Sequence, residues 1–193
     1  MILLQGKILA SIYLALFGAW LVSSVVTIIR MRAVTGLAAR DRGFVGRALL
    51  VLFLTNFLAI ACLKYFPRAT FATQFTSIIG LVLMGLGLAV RSWAIVHLGR
   101  FFTVNVAVAA DQTIVDTGPY RSVRHPSYTG LLLLAVGLGL CFGNYVSVLV
   151  LVGPMIGMML KRIRVEEEAL AVTLGTAYRE YMARTKRLIP GIY

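Results

Sequence analysis

The sequence predicts an all-α, polytopic membrane fold, and three observations carry that prediction. Apolar residues make up 60% of the 193-residue chain and charged residues only 13%, where a water-soluble domain carries roughly 25%. The mean hydropathy is +0.89. The apolar residues also fall in uninterrupted runs of membrane-crossing length, and the net charge of +12 gathers at the ends of those runs. Topology signals are distributed in that way. A nucleic-acid partner would instead call for a basic patch or stripe on one face, so no nucleic-acid partner is expected.

Each element follows in order. Ile8 to Ile29 offers 22 residues without a charge, about 33 Å of helix against a hydrocarbon core of about 30 Å. That run is too long for a cleaved signal peptide and reads as a retained span. Residues 30–47 then hold five arginines against Asp41 alone, the density of a cytoplasmic loop. Ala48 to Phe66 is the second span, closed by Lys64, Pro67 and Arg68. Phe71 to Leu98 is the third, with Arg91 and His97 toward its far end.

Residues 99–127 form a polar interlude, after which Leu131 to Leu160 runs 30 residues without a charge. As one helix that run would be about 45 Å long, well beyond the bilayer core. Gly143-Asn144 near its middle is turn chemistry, so two antiparallel helices are expected. Charge agrees: Arg100, Arg121 and Arg124 precede the run, and Lys161, Arg162 and Arg164 follow it. A hairpin keeps both basic stretches on the cytoplasmic side. The expected architecture is therefore about five transmembrane helices, with the N-terminus outside, the last two helices forming a hairpin, and a cytoplasmic C-terminal helix. Each hairpin arm is short for the bilayer, so thinning or tilt is expected, and Pro154 is expected to kink the second arm. Ala, Leu, Glu and Arg carry the helix on to Gly175, and Pro190 and Gly191 end the chain in a loop. No internal repeat is visible.

Several chemistries lack their residues. There is no GxGxxG after a strand, no phosphate loop, no HExxH and no GxSxG. His97 and His125 are the only histidines, too few for an all-His metal site, so no metal is expected. Cys62 and Cys141 lie in apolar segments and read as small hydrophobes. Gly80, Gly85 and Gly87 sit inside an apolar helix and suit close helix packing.

Two polar constellations remain, both expected on the cytoplasmic side. The first is "YRSVRHPSY", residues 120–128. Pro126 biases His125 away from helical geometry, and Ser127 is a candidate N-cap. The helix N-terminus would then offer N–H groups to an anion, with Arg124 and His125 beside it. Equally, these cations could face lipid headgroups, and Tyr120 and Tyr128 would suit an interfacial belt. The second constellation is Arg162 with Glu166 and Glu167. Arg162 and Glu166 are four apart and meet on one helical face. They could be a surface ion pair worth about 0.3–0.5 kcal/mol. Yet Glu166, Glu167, Glu168 and Glu180 hold most of the acid in this basic chain, and they begin where an apolar helix leaves the bilayer. The hairpin would bring them near His125. An anion-binding corner facing an acidic corner would suit a zwitterionic ligand.

At these residues the chain resembles the isoprenylcysteine carboxyl methyltransferase family and its phospholipid methyltransferase relatives, in a prokaryotic-type form. The resemblance rests on "GPYRSVRHPSYTG", on Arg162-x-x-x-Glu166-Glu167, on "GTAYREY" and on "RLIPGIY", supported by "LAVRSWAIVHLGRFFT" over residues 88–103. It covers roughly the C-terminal half. It implies S-adenosylmethionine as cofactor, bound without a Rossmann fold. By resemblance, Gln112, Thr113, Ile114, Val115 and Tyr120 lie along the cofactor, and His125, Pro126, Ser127 and Tyr128 form a tight turn around it. Glu166 would contact the cofactor and Arg162 would face the methyl acceptor, with Glu167 and Arg124 in support. Residues 1–193 are then one integral membrane domain, with three N-terminal spans in 1–98 and a cofactor-binding half in 99–193.

The implied reaction is methylation of the carboxylate of an isoprenylcysteine-like lipophilic acceptor, either a small molecule or a prenylated protein, among membrane lipids. Other readings remain open at this level. A phospholipid amine N-methyltransferase would share the motifs, with Glu167 as a candidate base. A sterol-type reductase would bind NADPH, and a non-enzymatic scaffold would need neither Arg162 nor Glu166.

Overall fold

The computed structural model describes residues 7–34, 44–102 and 113–193; Gln112 and residues 35–43 of the arginine-rich loop lie outside them. Among the described residues there are five α-helices: α1 Lys7–Val34, α2 Phe44–Tyr65, α3 Gln74–Leu98, α4 Pro126–Phe142 and α5 Tyr145–Arg184. They contain no strand, and isolated bridges pair Thr70 with Asn144 and Val123 with Lys186. Three stretches are long and apolar enough to cross a membrane: Lys7–Thr27, Gln74–Phe101 and Tyr145–Arg184. Leu50–Tyr65 and Pro126–Phe142 are apolar but shorter. With 17 residues, α4 measures about 25 Å against a core of about 30 Å, which is the short hairpin arm expected. Phe57, Val96 and Leu149 point outward, 70% or more exposed, as side chains facing lipid do.

The third helix starts later than expected, at Gln74, because Thr73 caps it. Thr73 Oγ1 accepts from the Thr76 amide at 3.1 Å, and Thr76 Oγ1 accepts from the Thr73 amide at 3.0 Å. The residues ahead of the cap are held by the hairpin turn: the Phe71 amide donates to the Gly143 carbonyl at 2.8 Å, and Asn144 Nδ2 donates to the Phe66 carbonyl at 2.9 Å. At the turn itself Gly143 has φ 63°, which an L side chain rarely adopts. The Asn144 side chain then caps α5 by accepting from the amides of Val146 and Ser147. The hairpin predicted from Gly143-Asn144 is therefore present.

Close approach of α3 and α4 forms the seam of the molecule. A Cβ on Gly80 would come within 2.7 Å of the Gly137 carbonyl oxygen, and one on Gly87 within 2.6 Å of the Gly130 oxygen. Small residues at such crossings let two backbones touch. Gly85 does not share that role, because a Cβ there would meet nothing within 4 Å; it lies two residues before Gly87, off the seam face. Around the seam, Leu81, Met84, Leu134 and Cys141 pack with Leu9, Tyr13 and Phe17 of α1. Ala59, Leu138, Phe142 and Leu151 join α2, α4 and α5. Backbone angles stay helical through Pro154; the interruption in α5 falls instead at Gly175, with φ 60° and ψ −131°. Beyond Gly175 the last turns fold back toward the polar motif.

Candidate functional site

The "RHPSY" turn is organised from the backbone outward. His125 has φ −126° and ψ 58°, the non-helical geometry expected ahead of a proline. It is His125, not Ser127, that occupies the N-cap position, with Pro126 at the first helical position. Proline suits that position because its missing N–H would have had no helical partner there. Ser127 lies one residue further in and is buried. The turn is then pinned to the chain's end by a short parallel pairing. The Arg124 amide donates to the Lys186 carbonyl at 2.7 Å and the His125 amide to the Arg187 carbonyl at 3.0 Å. Thr129 Oγ1 donates to the Leu188 carbonyl at 2.7 Å.

Two glutamates adjacent in sequence enter different surroundings. Glu167 is saturated by cations: Oε1 accepts from Arg124 Nε at 2.9 Å, and Oε2 accepts from Arg187 Nη2 at 2.7 Å and Nε at 3.0 Å. The Arg124 guanidinium is further held by the carbonyls of Met182 and Thr185. Bonding to Glu167, and then to the Tyr193 hydroxyl, raises the Arg187 guanidinium above its ordinary range. Glu166 instead accepts from the Tyr128 hydroxyl at 2.7 Å and from Arg162 Nε at 2.8 Å. The His125 ring stands between the two carboxylates, with Nε2 3.4 Å from Glu167 Oε1 and Nδ1 3.6 Å from Glu166 Oε2. The acidic corner and the basic turn do meet.

Two cavities open beside this cluster. One, of about 130 Å³, is bounded by Thr113, Ile114, Val115, Tyr120, Arg124, His125, Ser127, Tyr128 and Glu166, with Phe101, Phe102, Tyr178 and Tyr181 supplying rings. The other, of about 270 Å³, lies among all five helices and is walled mainly by apolar side chains, with Arg91, Tyr128 and Arg162 among them. Phe102 and Tyr128 line both. Tyr128 is thus a partition, carrying a hydroxyl that reaches Glu166. Glu167 lines neither cavity. Pro126, fully buried, shapes the turn beneath them.

The C-terminal tyrosines complete the first cavity. Tyr181 donates to the Tyr120 carbonyl at 2.7 Å, and the Tyr120 hydroxyl donates to the Ala94 carbonyl at 3.2 Å. Burial pushes the Tyr120 phenol above its usual range. Gly175 makes this possible, since its positive φ turns Tyr178 and Tyr181 back over the motif. Reading the sequence missed Tyr178, Tyr181 and Arg187 as site-builders, although "GTAYREY" and "RLIPGIY" contain them. No period or spacing pointed to Phe101 and Phe102. Among the described residues no group of three or more His, Cys, Asp or Glu side chains could hold a metal.

Residues 78–172 match the model of the isoprenylcysteine carboxyl methyltransferase (ICMT) family. A rice protein (Oryza sativa subsp. indica) named probable protein-S-isoprenylcysteine O-methyltransferase is 32% identical over 120 residues, covering 61% of this chain and 63% of that protein. The protein-S-isoprenylcysteine O-methyltransferase of Schizosaccharomyces pombe is 34% identical over 137 residues, covering 68% of this chain and 57% of its own length. This chain therefore spans less than two thirds of the curated relatives it matches. A solved structure of the eukaryotic intramembrane Ras methyltransferase ICMT superposes with a TM-score of 0.73 at 22% identity, covering 99% of this chain and 70% of that one. The shared fold and the apolar helices make the chain an integral membrane protein.

Proposed function

We propose that this chain, whose residues 78–172 match the model of the isoprenylcysteine carboxyl methyltransferase family, transfers a methyl group from S-adenosylmethionine to the carboxylate of an isoprenylcysteine-like acceptor. The observation that carries the reading is the shared wall: a ring-lined cavity carrying polar groups and a larger, mainly apolar cavity meet at Tyr128 and Phe102. A water-borne donor and a lipid-borne acceptor need such adjoining compartments. Residues 1–193 act as a single membrane domain, since the helices of both halves share the apolar cavity. The basic residues around the site support a cytoplasmic site with the N-terminus outside.

The smaller cavity suits the cofactor. Glu166 presents a carboxylate, 20% exposed, for an ammonium. Phe101, Phe102, Tyr178 and Tyr181 offer faces to a base, and the start of α4 favours a carboxylate. Thr113, Ile114, Val115, Tyr120, His125, Ser127 and Tyr128 complete the wall, with Pro126 setting the turn; Gln112 adjoins that run in sequence. Bound there, the cofactor would supply an electrophilic methyl on a cationic sulfur. Among the lining residues Arg124 is the only arginine or lysine, and it is committed to Glu167. That speaks against a ligand with the extra phosphate of NADPH.

The acceptor carboxylate is already ionised near neutral pH, so no base is required. With the cofactor bound, a carboxylate oxygen would form the O–CH3 bond as the S–CH3 bond was lost, the electron pair of that bond remaining on sulfur. No proton moves. The protein's task is alignment, worth about 7–11 kcal/mol of barrier when complete. Arg162, buried on the wall of the apolar cavity, orients the carboxylate. Arg124 and Glu167 act at one remove, fastening the turn to the tail. Glu167 is a poor base for an amine acceptor, being saturated by arginines, which favours the carboxylate over a lipid amine.

The test is calorimetric binding of S-adenosylhomocysteine to detergent-purified protein, with Glu166→Ala and with NADPH as the control ligand. Binding weakened by the substitution supports the reading. No binding, or binding of NADPH in its place, overturns it.

A further inference from the structure

The level of each segment along the bilayer normal can be read from α5. A hydrocarbon core of about 30 Å takes about 20 residues of helix, so α5, which starts at Tyr145, reaches the far boundary near Arg164. Lys161 and Arg164 are exposed there, as cations at headgroup level are. Val172 lies further out, about 14 Å along the helix from Ile163, and is 86% exposed.

Past the break at Gly175 the backbone returns to that boundary. Leu188 is buried in a cluster with Met159 and Ile163 of α5, against which Met155 and Leu132 of α4 pack. Its carbonyl accepts from Thr129 Oγ1 in the first turn of α4. Leu188 therefore sits at the depth where α4 enters the membrane and α5 leaves it. The residues that follow close on themselves. The amides of Leu188 and Ile189 both donate to the main-chain oxygen of Tyr193 at 2.7 Å, and those of Ile192 and Tyr193 donate to the Ile189 carbonyl at 3.1 Å. Gly191 supplies the positive φ of 75° that the reversal needs, and Pro190 has no N–H to satisfy.

This turn displays what a turn in water would hide. Ile192 is 75% exposed and Ile189 42%, and Pro190 between them is exposed as well. The Tyr193 hydroxyl is held by Arg187 Nη1 at 3.1 Å, and Lys186 is exposed beside them. An apolar tip flanked by cations and a tyrosine is the composition of a segment lying in the membrane interface. Internally bonded amides let such a tip leave water without stranding donors.

We propose that residues 188–193 form a membrane-interface anchor. Ile189, Pro190 and Ile192 enter the headgroup–acyl boundary to about 5–10 Å, and Lys186 meets the phosphates of anionic lipids. Lipid is the occupant of this surface because Leu188 fixes the turn at the depth of the boundary. The anchor holds the returning segment, and with it Tyr178 and Tyr181, against the bilayer. It does not depend on the methyltransferase reading.

The experiment uses the full chain in lipid nanodiscs, spin-labelled through Ile192→Cys or Ile189→Cys, with Val172→Cys as the reference. Cys62 and Cys141 are buried and stay in place, and unsubstituted protein taken through the same labelling sets the background. Each label is read for collision with oxygen, which concentrates in lipid, and with a neutral nickel chelate, which stays in water. Labels at 189 and 192 are expected to meet oxygen more than nickel, and the label at 172 nickel more than oxygen. Replacing phosphatidylcholine by phosphatidylglycerol should shift the label at 192 further from nickel, and Lys186→Gln should erase that shift. A label at 192 as open to nickel as the one at 172 would overturn the proposal and leave the turn facing water. Labels at 189 and 192 shielded from both reagents would overturn it in favour of a protein partner, a second copy of this chain included. No shift with lipid charge while Lys186 is intact would overturn the headgroup contact. Should one cysteine variant fail to fold, the other reports the same depth.

Discussion

Glu166 and Glu167 are neighbours in the chain, yet one faces a cavity and the other closes a joint. Glu167 is bonded by Arg124 and Arg187 and lines neither of the two cavities, whereas Glu166 keeps a fifth of its side chain exposed beside Tyr128 and Arg162. Successive helical residues point about 100° apart, so a single position separates the two environments. The comparison teaches that an acidic pair at a helix exit can divide between holding the site together and facing its ligand. A stability measurement should therefore respond most strongly to Glu167, and a binding measurement on folded protein most directly to Glu166.

The largest effect is expected from Glu167→Gln. It strands Arg124, whose side chain is only 9% exposed, and breaking a buried ion pair from one side costs about 3–5 kcal/mol. A clear fall in Tm in detergent, with ligand binding lost alongside, is the expected outcome; an unchanged Tm would erase the distinction. Glu166→Gln also takes the carboxylate from a buried arginine, Arg162, 3% exposed, so a smaller fall in Tm is expected there, since Glu166 holds one arginine where Glu167 holds two. Weakening a charge-assisted contact of about 1.5–3 kcal/mol predicts S-adenosylhomocysteine binding roughly 10- to 100-fold weaker in the variant that remains folded. Calorimetry on the same preparation checks it.

Tyr128→Phe probes the partition more gently. The ring remains, so the cavities stay separate, and only the hydroxyl that reaches Glu166 at 2.7 Å is lost. A cost of about 1 kcal/mol predicts turnover lowered by up to tenfold, and wild-type rates would show that the hydroxyl does not matter. The smallest change belongs to Arg184→Ala. Its pair with Asp116 is exposed on both sides, 60% and 41%, and such pairs contribute about 0–1 kcal/mol. Tm and kcat/KM should both stay near wild type; a large loss would mean that the segment from Thr113 to Asp116 depends on this tether.

Much of the fold was legible because lipid leaves a coarse imprint on sequence. Charge-free runs marked the helices, and Gly143-Asn144 marked the hairpin. Helix ends were less legible, since Thr73 and the hairpin turn jointly set the start of α3. Ser127 looked like a cap because its type is right, but Pro126 takes the first helical position and makes His125 the cap. Pro154 looked like the break because proline lacks an N–H, yet Gly175 reached the non-helical angles. Of the site, the contact of Arg162 with Glu166 followed from spacing alone. The bonds from Arg187 to Glu167 and from Tyr181 to Tyr120 join residues 20 and 61 positions apart, which no local period encodes.

Sequence by itself determined the membrane class, the number of helices, the hairpin and the residue types of the polar motif, because hydropathy, charge and turn chemistry are local properties. Tertiary structure alone decided which carboxylate faces a cavity and which is buried under arginines. It also decided that Tyr128 divides two compartments, and that Arg91 opens into the apolar one. Those outcomes depend on where separate helices cross, and a crossing is fixed by packing between distant segments.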